Sequence, residues 1–191
     1  MNFKNISQFL INPFTRIAGW QAFGVGVVFL VLMGVVGTFS GVCFDGALDV
    51  HFTTKSNFCD SFLFLAVDIV CVTLFMWLGA VIFSKNVRLI DLLGTMTLSK
   101  APLLIVTFAG FLISKNTLLA IEENPLAVLG MPAFIYFSVA VMVPFFIWTI
   151  ALMYNAFKVS SGIKGDKIVP VFIVALLLAE VASKIIISFT I

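Results

Sequence analysis

The sequence predicts an all-α membrane protein, a five-transmembrane-helix bundle with its N-terminus cytoplasmic and its C-terminus extracytoplasmic. Three observations carry this expectation: the composition, the spacing of apolar runs, and the distribution of Lys and Arg. Of the 191 residues, 62% are hydrophobic and 10% charged, and the mean hydropathy is +1.20. A soluble domain carries roughly 25% charged residues, so this chain has too few polar side chains to cover a water-facing surface. In lipid the outward face is apolar and the shortage disappears. The net charge of +2 gives no basic patch of the kind nucleic-acid partners require, so no nucleic acid is expected.

About 20 apolar residues carry a helix across the hydrocarbon core. Residues 20–42 hold no charge. That run is too long for the roughly 7–15-residue core of a signal peptide and lacks a clear small-x-small cleavage site, so it reads as a span. Residues 62–83 form the second expected span, with Asp68 as their one charge. The third, 92–113, is less regular, because its clean apolar stretch from Pro102 to Ile113 is only a dozen residues. It has to take Lys100 into its first turns. The alternative is an interfacial helix over 87–99 followed by a short re-entrant piece, which leaves four spans. Residues 133–157 form the fourth span, with Pro144 inside; neighbouring helices can satisfy the backbone groups a proline frees. Residues 168–189 form the fifth and carry Glu180 and Lys184. The whole chain, 1–191, reads as one membrane domain.

Orientation follows from the basic residues. Lys4, Arg16, Lys85, Arg88, Lys158, Lys164 and Lys167 fall on one side, and Lys55, Lys115 and Lys184 on the other; Lys100 is expected to join the larger group. The larger group marks the cytoplasmic side.

The loop after the first span is the richest in polar features. Cys43 and Cys59 flank it, and a disulfide between them would close about 16 residues, worth roughly 3 kcal/mol in an oxidising compartment. Two unpaired thiols at helix ends are the alternative, and Cys71 reads as packing. Asp45, Asp49, His51 and Asp60 share the loop, yet their spacing matches no metal-ligand pattern, so no metal is expected. Phe44, Leu48, Val50 and Phe52 suggest that the loop packs onto the bundle or the lipid interface. Ionisable groups inside spans are functional candidates because burying charge in hydrocarbon is costly. Asp68, Glu180 and Lys184 fall at similar depth, with Glu180 and Lys184 at the favourable i, i+4 spacing. An intramembrane cluster of the three would be either a proton or substrate site or a structural pin between helices.

Gly24, Gly26, Gly34 and Gly37 in the first span, and Gly79 with Ala80 in the second, permit close helix approach or a dimer face. Walker-type glycine loops, HExxH, GxSxG and CxxC are absent from the sequence, so neither an enzyme nor a cofactor is expected.

The layout resembles the Yip1-domain integral membrane proteins, in particular their short bacterial members. The stretches that carry the resemblance are Asn12-Pro13-Phe14 before the first span and Phe44-Asp45-Gly46-Ala47-Leu48-Asp49-Val50-His51-Phe52 after it. Added to these are residues 88–104, with Gly94, Lys100 and Pro102, and the final helical pair from Trp148 to Lys158 and on through Gly162, Lys164 and Lys167. The resemblance implies a multi-pass protein of the bacterial inner membrane. Its implied role is a non-enzymatic scaffold or interaction protein in membrane organisation or lipid homeostasis, with the bilayer, a second copy or other membrane proteins as partners. The long N-terminal region and the Asp-Leu-Tyr-Gly-Pro motif of eukaryotic relatives are missing, so Rab-type GTPase partnership is not implied. A small transporter, channel or lipid-moving protein using Asp68, Glu180 and Lys184 is the alternative.

Overall fold

The computed structural model describes residues 10–55 and 57–190; Lys4, one of the basic residues used above for orientation, lies outside the described residues. The elements run α1 (Gly19–Ser40), β1 (Val42–Cys43), β2 (His51–Phe52), α2 (Phe58–Phe83), α3 (Leu89–Ser99), α4 (Leu103–Ala109), α5 (Lys115–Glu123), α6 (Ala133–Ser161) and α7 (Ile168–Ser188), with short 3₁₀ turns between several of them. Among the described residues, five helical segments are long and apolar enough to cross a membrane: Gly19–Ser40, Phe58–Phe83, Leu89–Leu112, Ala133–Ser161 and Gly165–Ser188. The expected five-span, all-helical architecture is therefore present. The spans differ from the expected ones mainly at their ends. α2 starts four residues earlier than expected because Asn57 caps it, its side chain accepting the Asp60 N–H at 2.9 Å, a strong N-terminal signal. α6 runs on to Ser161 and continues through Pro144.

The third span is composite, and its sequence explains why. Pro102 has no N–H to offer the Leu98 carbonyl four residues back. The chain answers with i→i+3 bonds, Ala101 N–H to Leu98 O at 3.1 Å and Leu103 N–H to Lys100 O at 2.9 Å, so α3 ends at Ser99 and α4 begins at Leu103. The segment is still long and apolar enough to cross as one unit of 24 residues, although its break falls where the four-span alternative put a boundary. Of the five spans it is the least apolar and the most buried. These two facts belong together: α3 and α4 form the axis of the bundle, packed by α1, α2 and α6, while α7 packs mainly on α2. An axial helix has little lipid to face, so Thr95, Thr97 and Ser99 are tolerated there. Each bonds its hydroxyl to a carbonyl three or four residues back, at 2.6–2.7 Å.

Close approach to this axis depends on glycine. A Cβ at Gly94 would overlap the Gly19 carbonyl oxygen, and one at Gly26 would come within 2.7 Å of the Leu98 nitrogen. Gly24 faces open space and takes no part in this contact. At one end of the bundle lie the linker residues Lys85 and Arg88 and the turn with Lys164 and Lys167, hereafter the basic end. At the opposite end, the loop end, lie the β1–β2 hairpin and α5. The segment before α1 lies along α6, where the Trp148 indole N–H donates to Leu10 O at 2.8 Å and the Asn155 amide to Ile11 O at 3.0 Å. Phe14 of this segment is buried.

Candidate functional site

The site is built where the loop of residues 43–52 folds back into the bundle. β1 and β2 pair antiparallel, Val42 opposite Phe52 and Cys43 opposite His51, so the residues between them are thrown inward as one compact turn. Phe44 and Ala47 are fully buried, and Leu48, Val50 and Phe52 pack against the core at partial exposure. Of the two surfaces these residues could pack on, the bundle and the lipid interface, the bundle takes them.

Beneath the loop lies Lys100, at the break in the third span. It follows the start of α3 by eleven residues, a rise of about 16 Å, which places it near the middle of a core about 30 Å thick. Its side chain is 1% exposed and that of Asp68 is 0% exposed, with Nζ and Oδ2 3.8 Å apart. Among the described residues neither Asp68 carboxylate oxygen has a hydrogen-bond partner; its compensation is the ammonium charge. Lys100 spends its one close hydrogen bond elsewhere, on the Ala47 carbonyl at 2.7 Å. The N–H of the same peptide group, carried by Leu48, donates to Glu180 Oε2 at 2.7 Å. The Ala47 N–H donates to Ser183 Oγ at 3.2 Å, and that hydroxyl donates in turn to Glu180 O at 3.0 Å. Gly46 makes room for this: a Cβ there would overlap the Glu180 carboxylate. Glu180 Oε1 lies 3.6 Å from Lys184 Nζ, and Lys184 also pairs with Asp49.

The result is a string of alternating charge from the core to the loop surface: Asp68, Lys100, the Ala47–Leu48 peptide group, Glu180, Lys184, Asp49. From sequence, Asp68 is expected to join Glu180 and Lys184. Glu180 and Lys184 do meet, but the ionic partner of Asp68 is Lys100. Lys184 sits at the half-exposed rim with Asp49. The expected placement of Lys100 on the basic flank is corrected: it is an interior residue. The short apolar run after Pro102 draws it toward the flank, yet the rule that singles out charges within spans applies to it as well. Ser183 and the Ala47–Leu48 peptide carry no sequence signal of their own, and Asp49 stands out in the sequence only as one of several loop acids.

The other loop groups resolve into local pairs. His51 Nδ1 lies 3.1 Å from Asp45 Oδ2 across the hairpin. The hydrogen bond to Asp45 raises the His51 pKa above its ordinary value, against the opposing effect of burial. Burial pushes the Asp45 carboxyl up, but the His51 hydrogen bond and charge outweigh it and hold it below the usual value. At the far side of the loop Glu122 of α5 accepts from the Thr54 N–H and hydroxyl, both at 2.8 Å. Among the described residues, no group of three or more His, Cys, Asp or Glu could hold a metal ion. Cys43 is buried in β1, Cys59 is exposed in the first turn of α2, and both are free thiols, as is Cys71. Burial, aided by the charges of Asp45, Asp60 and Asp68, pushes the Cys43 thiol up to about 12.

Comparison with protein-family models, with curated proteins and with solved structures found no match to this chain.

Proposed function

We propose that the chain is a non-enzymatic, multi-pass membrane protein of the Yip1-domain type. In this reading it lies in a bacterial inner membrane, N-terminus cytoplasmic and C-terminus outside, and organises the bilayer or its lipids through its lipid-facing surface. The observation that carries this reading is the closure of the interior. On α2, Val72 and Met76 stand four and eight residues beyond Asp68. On α3, Met96 and Leu92 stand four and eight residues before Lys100. Residues so spaced share a helix face, and all four are 0% exposed. The path from the buried charges toward the basic end is therefore filled with apolar side chains, while the loop seals the other end. A conducting pathway needs polar groups or water reaching the site from each side.

Two clefts open instead on the outside, both apolar: one of about 640 Å³ between α2 and α7, and one of about 330 Å³ bounded by the N-terminal segment, α1, the third span and α6. Reconstituted at rising density, the protein should change lipid packing, read with an order-sensitive fluorophore, more than an unrelated five-span protein does. The same vesicles should show no proton flux above protein-free controls. Unaltered lipid order would overturn the organising role. The alternative, a small transporter, channel or lipid-moving protein using Asp68, Glu180 and Lys184, is favoured by one observation: the 3₁₀ break at mid-depth beside a carboxylate with no hydrogen-bond partner. Proton flux that Glu180→Gln abolishes would establish that reading in place of the first.

A further inference from the structure

The larger of the two clefts has a shape and charge that specify what fills it. Phe75, Leu78 and Ile82 of α2 and Val171, Val174 and Leu178 of α7 form its walls. Among the described residues its one charged lining residue is Lys167, just before α7, whose ammonium lies 5.8 Å from the centroid of the Phe83 ring. From Lys167 to Leu178 the chain advances eleven residues, about 16 Å at helical rise. The hydrocarbon core is about 30 Å thick, so the cleft covers one leaflet. It begins at the polar boundary with a cation and ends, wholly apolar, at the bilayer midplane.

A partner helix would run through both leaflets and meet the cleft over only half of its length. A lipid acyl chain has this length, and its phosphate sits at the headgroup level where Lys167 stands. The surrounding charge sets the sign of that headgroup. Lys158 and Lys164 line a neighbouring cleft of about 500 Å³, with Asp166 the one acid among its walls, and Lys85 and Arg88 share the same end of the bundle. We propose that the α2–α7 cleft is a binding site for an anionic glycerophospholipid, one acyl chain lying along Leu78, Ile82, Val174 and Leu178 and the phosphate paired with Lys167. The site deepens the lipid-organising reading by naming the lipid, and it is tested independently of that reading.

The test uses the full chain, purified in detergent and titrated with phosphatidylglycerol or with phosphatidylcholine of the same chains. Lipid retention is followed by native mass spectrometry and stabilisation by thermal shift. Phosphatidylglycerol should bind more tightly and stabilise more than phosphatidylcholine. Lys167→Gln, at an exposed position, should weaken phosphatidylglycerol about fivefold, the usual effect of one basic residue at a membrane surface, and leave phosphatidylcholine unchanged. Val174→Trp fills the cleft from a side chain 56% exposed, so the fold has no reason to fail, and it should weaken both lipids. Equal binding of the two lipids by the native chain would overturn the site. So would a preference for phosphatidylglycerol that survives Lys167→Gln, or retention of both lipids by Val174→Trp. Unchanged bilayer order with an intact lipid preference would defeat the organising role and leave the site standing.

Discussion

Lys100→Met should be among the most damaging single substitutions in this protein, and Asp68→Leu should rescue part of the loss. The two charges lie 3.8 Å apart with side chains 1% and 0% exposed. At an effective dielectric of about 20, unit charges at that distance attract by about 4 kcal/mol, within the range of about 3–5 kcal/mol seen when one partner of a buried pair is removed. Methionine keeps the length of the side chain and its packing but leaves the buried Asp68 carboxyl without its compensating charge, to stay ionised at a cost or to take up a proton. It also strips the Ala47 carbonyl of its donor, a further cost of about 1–3 kcal/mol. Adding Asp68→Leu to Lys100→Met removes the stranded carboxylate and leaves only the carbonyl penalty. The double variant should therefore be more stable than Lys100→Met alone, and the double-mutant cycle should give a coupling of about 2–4 kcal/mol. Unfolding free energies from titration of mixed micelles with a denaturing detergent, followed by tryptophan fluorescence, supply all four corners. Contact-free sites add within about 0.5 kcal/mol. A coupling that small would refute the pairing of Asp68 with Lys100.

Three further outcomes follow from the same geometry. Gly46→Val places a branched side chain against the Glu180 carboxylate and should lift the loop. In the native chain only exposed Cys59 should alkylate readily, while Cys43, buried and with its thiol pushed up to about 12, should be protected; in the variant Cys43 should react under native conditions, and unchanged protection would count against the seating of the loop. The His51–Asp45 pair should make hairpin stability depend on pH. The raised His51 pKa contributes fully below its ordinary 6.5 and is lost as pH rises through the folded value, whereas the lowered Asp45 pKa contributes fully above 3.8 and is lost as pH falls through its own folded value. The window of full effect is thus about pH 4–6.5, and with side chains 44% and 28% exposed it is worth at most about 1 kcal/mol. Asp49 and Glu122 also face His51, so His51→Gln should flatten the profile above pH 6.5, and an unaltered profile would assign the dependence elsewhere. Gly94→Val should cost about 1–3 kcal/mol by overpacking α1 against α3, while Gly24→Ala, which meets nothing within 4 Å, should stay within about 0.5 kcal/mol in the same denaturation assay.

Hydropathy made four of the spans legible because α1, α2, α6 and α7 each turn much of their surface to lipid, and lipid selects an unbroken apolar run. The third span faces protein nearly all round from Leu92 to Leu103, so those residues answer to neighbouring side chains. Thr95, Thr97, Ser99 and Lys100 look like a flank by composition, yet Lys100 stands at the centre of the bundle. The charged residues of the site were visible individually, but their pairing was not. Helical spacing brings Glu180 and Lys184 together along one helix. The partnership of Asp68 with Lys100 depends instead on how α2 meets the axis, and that of Lys184 with Asp49 on how the hairpin folds. The role of Gly46 is equally hidden, since in the sequence it is one more loop glycine.

The position of the Ala47–Leu48 peptide group explains why the hairpin and the helix break need one another. Lys100 and Glu180 come from different spans, and each would be costly to bury alone. One peptide plane offers its carbonyl to the ammonium and its N–H to the carboxylate, so its dipole is aligned with the field between the two charges. The break at Lys100–Pro102 matters because a straight helix and a 3₁₀-tightened one aim a side chain at that depth differently. Restoring the missing backbone donor with Pro102→Ala therefore acts on the loop as well as on the helix: if α3 and α4 fuse, Lys100 is re-aimed and loses Ala47. Protection of Cys43 from alkylation then falls although no loop residue has changed. Loss of Cys43 protection in Pro102→Ala, matched by Lys100→Met, would show that the axial break and the hairpin act as a single unit; full protection in both would show that the hairpin is held by Glu180 and Ser183 alone.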